Sequence, residues 1–345
     1  MVSVLRLVQI LAIEKSGLCL NLKFINTTTC QDGPFPLKPD ISIYSDCPSD
    51  GPTSQRFLDW KTVDLWIENK NSNNDIFHSL TKMESKDKVN GDLESHIKWT
   101  NSSYNVCGQL LSYTSALHHS QFCVFLFAII LFSDMGQLLQ WDHSRVIYSE
   151  SFYWAKEPDT LFKFFWRLNF LSDVDCGYDT TVTSVGDNEA EVVLLKLKTY
   201  KGLENIQRSN LHKILIHNNC AMDGELRCYI TPSAIWQTNS LFGCSTFGYI
   251  AYDLAKSNLV YLKDFWHTDL PGIQKEGDVY QELHEAEVPN IPVLGRAGDV
   301  PLSPAHANTI LVVSQKTKVQ DYVKGSGYGH EWCPSWPCVN PYVHY

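Results

Sequence analysis

Residues 122–132 read Phe-Cys-Val-Phe-Leu-Phe-Ala-Ile-Ile-Leu-Phe, without a charge or an amide side chain among them. A run this apolar has to leave water, since each buried methylene is worth about 0.8 kcal/mol. As a helix it would reach only about 17 Å, against the roughly 30 Å of a bilayer's hydrocarbon core. It therefore reads as a buried strand. Gln137-Leu138-Leu139-Gln140-Trp141 follows as its expected hairpin partner, so the chain is built around a sheet.

With 345 residues there is room for two domains, and 44% hydrophobic against 19% charged residues marks a globular chain. The net charge of −10 offers no basic coat for a phosphate backbone, so nucleic-acid binding is not expected. The eleven cysteines include no Cys-x-x-Cys pair, which argues against a zinc site and a secreted disulfide framework. At the N-terminus Arg6 and Gln9 interrupt the apolar run, and no small-residue cleavage site follows. With no signal peptide and no membrane span, an intracellular location in cytoplasm or nucleus is expected. On that reading the acceptor triplets at Asn26 and Asn101 carry no meaning.

Along the chain, Ile41-Ser42-Ile43-Tyr44 and Val63-Asp64-Leu65-Trp66-Ile67 alternate as strands. Residues 71–101 are polar and aperiodic, and are expected to form a mobile surface loop. Helical spacing appears from Val106 through Leu110, Tyr113 and Leu117, and again from Pro158 to Leu171. The aromatic run Phe162-x-Phe164-Phe165-Trp166 in that second helix is read as core. Val192–Leu195 fits a helix or a strand. From about Ala234 short strands with glycines lead to a helix near 272–287. Past Lys324 no period remains, so 324–345 is expected to be an unstructured tail. The expected domains are 1–230 and 231–323.

Two constellations carry chemistry. In the first, Asp40 opens one strand and Glu68 closes the next, with Lys70 two residues on. Antiparallel pairing would bring both carboxylates to one end of the sheet, with Lys70 on the face of Glu68. Asp40 and Glu68 could then hold Mg²⁺ while Lys70 orients a water. Gln109 and Tyr113, four apart on a helix, share a face. This segment resembles the restriction-endonuclease-like fold, whose Asp…Glu-x-Lys motif is followed by a Gln-x-x-x-Tyr element. The competing reading is a relic scaffold with a solvated Glu68–Lys70 pair. His118, His119 and His143 lack partners at metal-ligand spacing and are read as surface or cap residues.

In the second, Val260-Tyr261-Leu262-Lys263 is a strand ending in lysine, and Glu276 heads a helical pattern with Val279, Tyr280 and Leu283. Phe242-Gly243-Cys244-Ser245-Thr246-Phe247-Gly248 precedes it between two strands. On pattern alone, a solvated lysine and an exposed helix glutamate are the favoured reading, since such pairs are common. The stretch Phe242–Val300 resembles the fungal-type protein kinase domain family. The matching residues include Phe242-Gly243-x-x-Thr246, Gly248-Tyr249, Val260-x-Leu262-Lys263-Asp264-x-Trp266, Lys275-Glu276-Gly277-x-Val279-Tyr280, Leu283-His284-Glu285-Ala286 and Val288-Pro289-Asn290-Ile291-Pro292. Upstream, Gln140-Trp141-Asp142, Phe164-Phe165-Trp166-Arg167 and Gly177-Tyr178-Asp179-x-Thr181-Val182 follow in the family's order, so the resemblance runs from about Leu22 to Val300.

The resemblance implies ATP and Mg²⁺ as cofactors, a protein as phosphoryl acceptor, and a phosphate loop at Gly243, Ser245 and Gly248. It implies that Lys263 pairs with the phosphates and that Glu276 holds Lys263. Ser245 stands where the loop's second glycine is expected. No His-Arg-Asp and no Asp-Phe-Gly occurs in the sequence. The expectation is an α+β protein: a restriction-endonuclease-like mixed sheet with helices, then a kinase N-lobe of antiparallel sheet plus one αC-like helix. The N-lobe is read as truncated before the catalytic loop and inactive. A nuclease, or a binding or vestigial protein, remains the alternative.

Overall fold

The computed structural model describes residues 13, 15–17, 19–28, 30, 37–45, 58–70, 100–217, 226–268, 272–302 and 315–317, and the backbone of 332–335 and 338–340. The fold is α+β, with two sheets. Two compact units emerge, one formed by Met1–Trp141 with Val146–Gly177, the other by Asp142–Arg145 with Tyr178–Tyr345.

The first unit is a mixed sheet of six strands: β1 (Lys23–Asn26), β2 (Ile41–Tyr44), β3 (Leu65–Lys70), β4 (Phe125–Phe132), β5 (Met135–Asp142) and β6 (Val146–Tyr148), in that spatial order. β1, β2 and β3 pair antiparallel, whereas β3 and β4 run parallel. A parallel pair needs a crossover, supplied here by helix α1 (Asn101–Ser120). Thr100 caps α1 by accepting the Ser103 amide at 3.1 Å, and Val106, Leu110, Tyr113 and Leu117 form its buried stripe. Strand β4 carries the apolar run, and every residue of it but Phe127 is buried. Helix α2 (Asp159–Leu168) lays Leu161, Phe165 and Leu168 on a core that includes Phe24, Ile43, Ile67 and Ile129.

The aromatic run on α2 is not wholly core. Phe165 is buried, but Trp166 lies on the opposite face, 50% exposed and edge-on to Phe170. The helical period spreads these four aromatics around more than one face.

In the second unit every described pairing is antiparallel. Its sheet comprises β7 (Val182–Ser184), β8 (His212–His217), β9 (Leu226–Thr231), β10 (Trp236–Gln237), β11 (Phe247–Asp253), β12 (Asn258–Thr268), β13 (Val293–Arg296), β14 (Trp332–Ser335) and β15 (Cys338–Asn340). Among the described residues two α-helices accompany it, α4 (Asp187–Leu197) and α5 (Glu276–Glu285). The short helix α3 (Asp173–Cys176) ends the first unit. Val192–Leu195 is thus helical, and Ala190, Val193 and Leu197 of α4 pack against Ile230, Ile250 and Tyr252.

Two expectations change. The division falls after Gly177 rather than near residue 230, because β7, β8 and β9 hydrogen-bond into the sheet that holds β11 and β12. The expected unstructured tail contributes β14 and β15. β15 pairs with β12 on one side and β13 on the other. The expected loop at 71–101 lies outside the described residues through position 99, and α1 begins at Asn101.

Candidate functional site

In the second unit, β11 and β12 form a hairpin in which Gly248 lies opposite Lys263 and Phe247 opposite Asp264. Lys263, Phe265 and His267 share one face of β12. The Lys263 ammonium donates to Glu276 Oε2 at 2.5 Å and sits 4.6 Å from the Phe265 ring centroid. Both partners are more than a quarter exposed, so the pair itself adds at most about 1 kcal/mol to stability. Its value is placement: a cation fixed on a sheet face by a carboxylate on the first turn of a helix.

The loop before β11 is held inward. Gly243 donates its amide to His143 O at 2.9 Å, and Thr246 donates its amide to the Thr238 hydroxyl at 2.9 Å. Cys244 O accepts from Trp266 N at 2.8 Å. Ser245 is buried, with a left-handed φ of 33°. The space above Gly248 is taken, since a Cβ there would run into the Tyr261 hydroxyl. A phosphate cradle needs outward amides. The amides of Gly243 and Thr246 are spent internally, and the missing side chain at Gly248 serves Tyr261. An ATP molecule thus finds a fitting charge in the Lys263–Glu276 pair, and a poor fit in the amides of residues 243 and 246.

Sequence reasoning missed an ion cluster beside the pair. Asp299, buried, accepts from Lys275 Nζ and lies 3.3 Å from His267 Nε2. Burial works to raise its carboxyl, but hydrogen bonds from His267 and Lys275 outweigh burial and hold it below the usual range. Elsewhere in the unit burial raises both Asp179 and Asp264, Asp264 further because Asp179 is close.

In the first unit the five expected residues come together. Register Ile41↔Ile67 sets Asp40 across from Glu68. Asp40 Oδ2 accepts the Asn69 amide at 2.8 Å. Lys70 Nζ reaches Glu68 Oε1 at 2.6 Å and donates to Gln109 Oε1 at 2.5 Å. Gln109 Nε2 meets the Tyr113 hydroxyl at 2.5 Å, and that hydroxyl donates to Lys38 O at 2.8 Å. Glu68 is 4% exposed, and its second oxygen, Oε2, makes no hydrogen bond among the described residues. Burial and then the Asp40 charge push Glu68 up to about 7, against the pull of Lys70. Burial raises Asp40 and Tyr113 as well, with the Glu68 charge adding to the rise at Tyr113. Glu68 is therefore buried and the Lys70 side chain only 17% exposed, so the pair is not a solvated one.

His118 and His119 lie in the last turn of α1, but two of the three histidines are not at the surface. His118 and His143 are buried: His118 Nδ1 lies 3.1 Å from Cys123 Sγ, and His143 Nδ1 lies 2.9 Å from Leu241 O. Among the described residues no three metal-ligating side chains cluster, and no helix is long and apolar enough to cross a membrane.

The model of the fungal protein kinase family matches residues 62–327, more than half of the chain. The chain belongs to the fungal protein kinase family. No curated protein and no solved structure matches it. The match to the fungal protein kinase model spans both the Lys263–Glu276 pair and, in the other unit, Glu68, Lys70, Gln109 and Tyr113.

Proposed function

We propose that the second unit binds ATP through Lys263 and does not transfer its phosphoryl group. The observation that carries this is the Lys263–Glu276 pair, a strand lysine held by a helix glutamate as the sequence resemblance implies. When bound, ATP with Mg²⁺ supplies the transferable phosphoryl group. Lys263 would neutralise phosphate oxygens, and Glu276 keeps the ammonium from turning to solvent. Transfer also needs a base to take the acceptor's proton and carboxylates to hold Mg²⁺. The His-Arg-Asp and Asp-Phe-Gly groups that do this in kinases do not occur in the sequence. Two measurements test the reading. ATP should bind the full chain with Mg²⁺ present, and radiolabelled ATP should label neither the chain nor a generic protein acceptor. Labelling that vanishes in Lys263→Ala would overturn the inactive half. Absence of ATP binding would overturn the other.

A second reading has its own support. Asp40, Glu68 and Lys70 form the donor set of a metal-dependent nuclease, with Gln109 and Tyr113 beside them. The buried Glu68 Oε2, unbonded among the described residues, fits an Mg²⁺ ligand. Lys70 would orient the attacking water. The net charge of −10 works against holding a polyanion, so we favour a retained scaffold that cleaves nothing. A Mg²⁺-dependent nicking assay decides it: activity lost in Glu68→Ala would restore the nuclease.

A further inference from the structure

Lysine is a poor residue with which to start a helix. It has no oxygen to accept the orphan amides, and its charge meets the positive end of the helix dipole. Yet Lys275 is the N-cap of α5, with φ −72°, ψ 146° and no side-chain cap hydrogen bond. Its ammonium goes instead to Asp299, whose other oxygen faces His267 on β12. The next residue, Glu276, holds Lys263 on the same strand. Lys263 and His267 are four residues apart on one face, about 13 Å along the strand. Adjacent residues of the α5 N-terminus thus engage β12 at two separated points, one directly and one through Asp299. A single contact fixes a helix end's position; two fix its direction. An independent contact places the same turn against the Asp299 segment, because a Cβ at Gly277 would collide with the Ala297 methyl.

We propose that Lys275 and Asp299 are positioning residues that tether the start of α5, so that Glu276 stays within reach of Lys263. The role in nucleotide binding rests on the ATP reading above; the tether itself does not. Lys275 fails as a cap because it serves as a strut. Its carbonyl still accepts the Val279 amide at 3.1 Å, so the helix begins despite the missing cap.

The test uses the full chain and Lys275→Met, because the Lys275 side chain is 38% exposed whereas removing the buried Asp299 charge risks the fold. The first readout needs no ligand: hydrogen exchange of the α5 amides, with β8 and β9 as the internal reference. The expectation is exchange roughly tenfold faster in α5, with β8 and β9 unchanged and Lys275→Arg restoring protection. Unchanged α5 exchange would overturn the tether. The second readout is ATP affinity in a double-mutant cycle with Glu276→Gln. Lys275→Met should weaken ATP severalfold in the wild-type background and have no further effect beside Glu276→Gln. Effects that simply multiply would make Lys275 a structural residue and nothing more. A wild-type chain that binds no ATP sinks the nucleotide reading, and the exchange result then decides the tether alone.

Discussion

Two lysine–glutamate pairs of nearly equal length, Glu68–Lys70 at 2.6 Å and Lys263–Glu276 at 2.5 Å, lie in very different surroundings. In the first Glu68 is buried and Lys70 mostly so, the glutamate shares the sheet end with Asp40, and one glutamate oxygen makes no hydrogen bond among the described residues. The second is more than a quarter exposed on both sides. Distance alone does not say what an ion pair does. A buried pair beside a second carboxylate is poised for a cation or a proton, whereas a half-open pair can present its lysine to an anion.

The largest expected difference is in what each lysine does for stability. Lys70→Met leaves Glu68 beside Asp40 with no cation, and should cost the first unit about 2 kcal/mol or more at pH 8, where the carboxyl takes up a proton rather than stay charged and unpaired. Lys263→Met should cost the second unit about 1 kcal/mol or less. Denaturant-dependent hydrogen exchange of β3 and β4 against β11 and β12 reads both losses separately. Equal losses would erase the distinction.

Next comes the pH dependence of the buried pair. The Glu68 carboxyl moves from 4.5 to about 7 on folding. Across that window the folded chain keeps a proton that the unfolded chain has already lost, so stability falls as pH rises. The loss is complete above about pH 7, and amounts to at most about 3 kcal/mol. Glu68→Gln should be flat across the window and more stable than wild type at pH 8, with divalent cations chelated. A Glu68→Gln variant with the wild-type slope would assign the titration to another group.

The last effect concerns the start of β11, opposite Lys263. Gly248→Ala should cost about 2 kcal/mol by pushing the Tyr261 hydroxyl aside, as overpacking does. No loss would mean the space over Gly248 is open, and the phosphate loop would regain its case.

Much of this was legible in the sequence. The run at 122–132 reads as a buried strand because it is too short to span a membrane and is followed by a hairpin partner, and residues 125–132 of it form β4. Asp40 and Glu68 converge because antiparallel pairing leaves little freedom once two alternating strands are recognised. Lys263 and Glu276 meet as the strand–lysine, helix–glutamate pattern requires. The early unit boundary was hidden because strand edges are satisfied by partners distant in sequence; β9 pairs with β11 across a stretch that reads as loop. The Lys275–Asp299–His267 cluster was hidden for a different reason. Its members lie 24 and 32 residues apart, and Lys275 breaks the capping rule that would have marked the helix start. Cys123 beside His118 follows from the end of α1 meeting the start of β4, a geometry no local pattern announces.

The claim that the two pairs serve different ligands is tested most directly by calorimetric titration of ATP with Mg²⁺ into the full chain, Lys263→Met and Lys70→Met. The account predicts measurable binding to wild type, at least a tenfold loss of affinity in Lys263→Met, about 1.4 kcal/mol or more, and an unchanged constant in Lys70→Met. Equal affinity in wild type and Lys263→Met, or a loss in Lys70→Met instead, would contradict it.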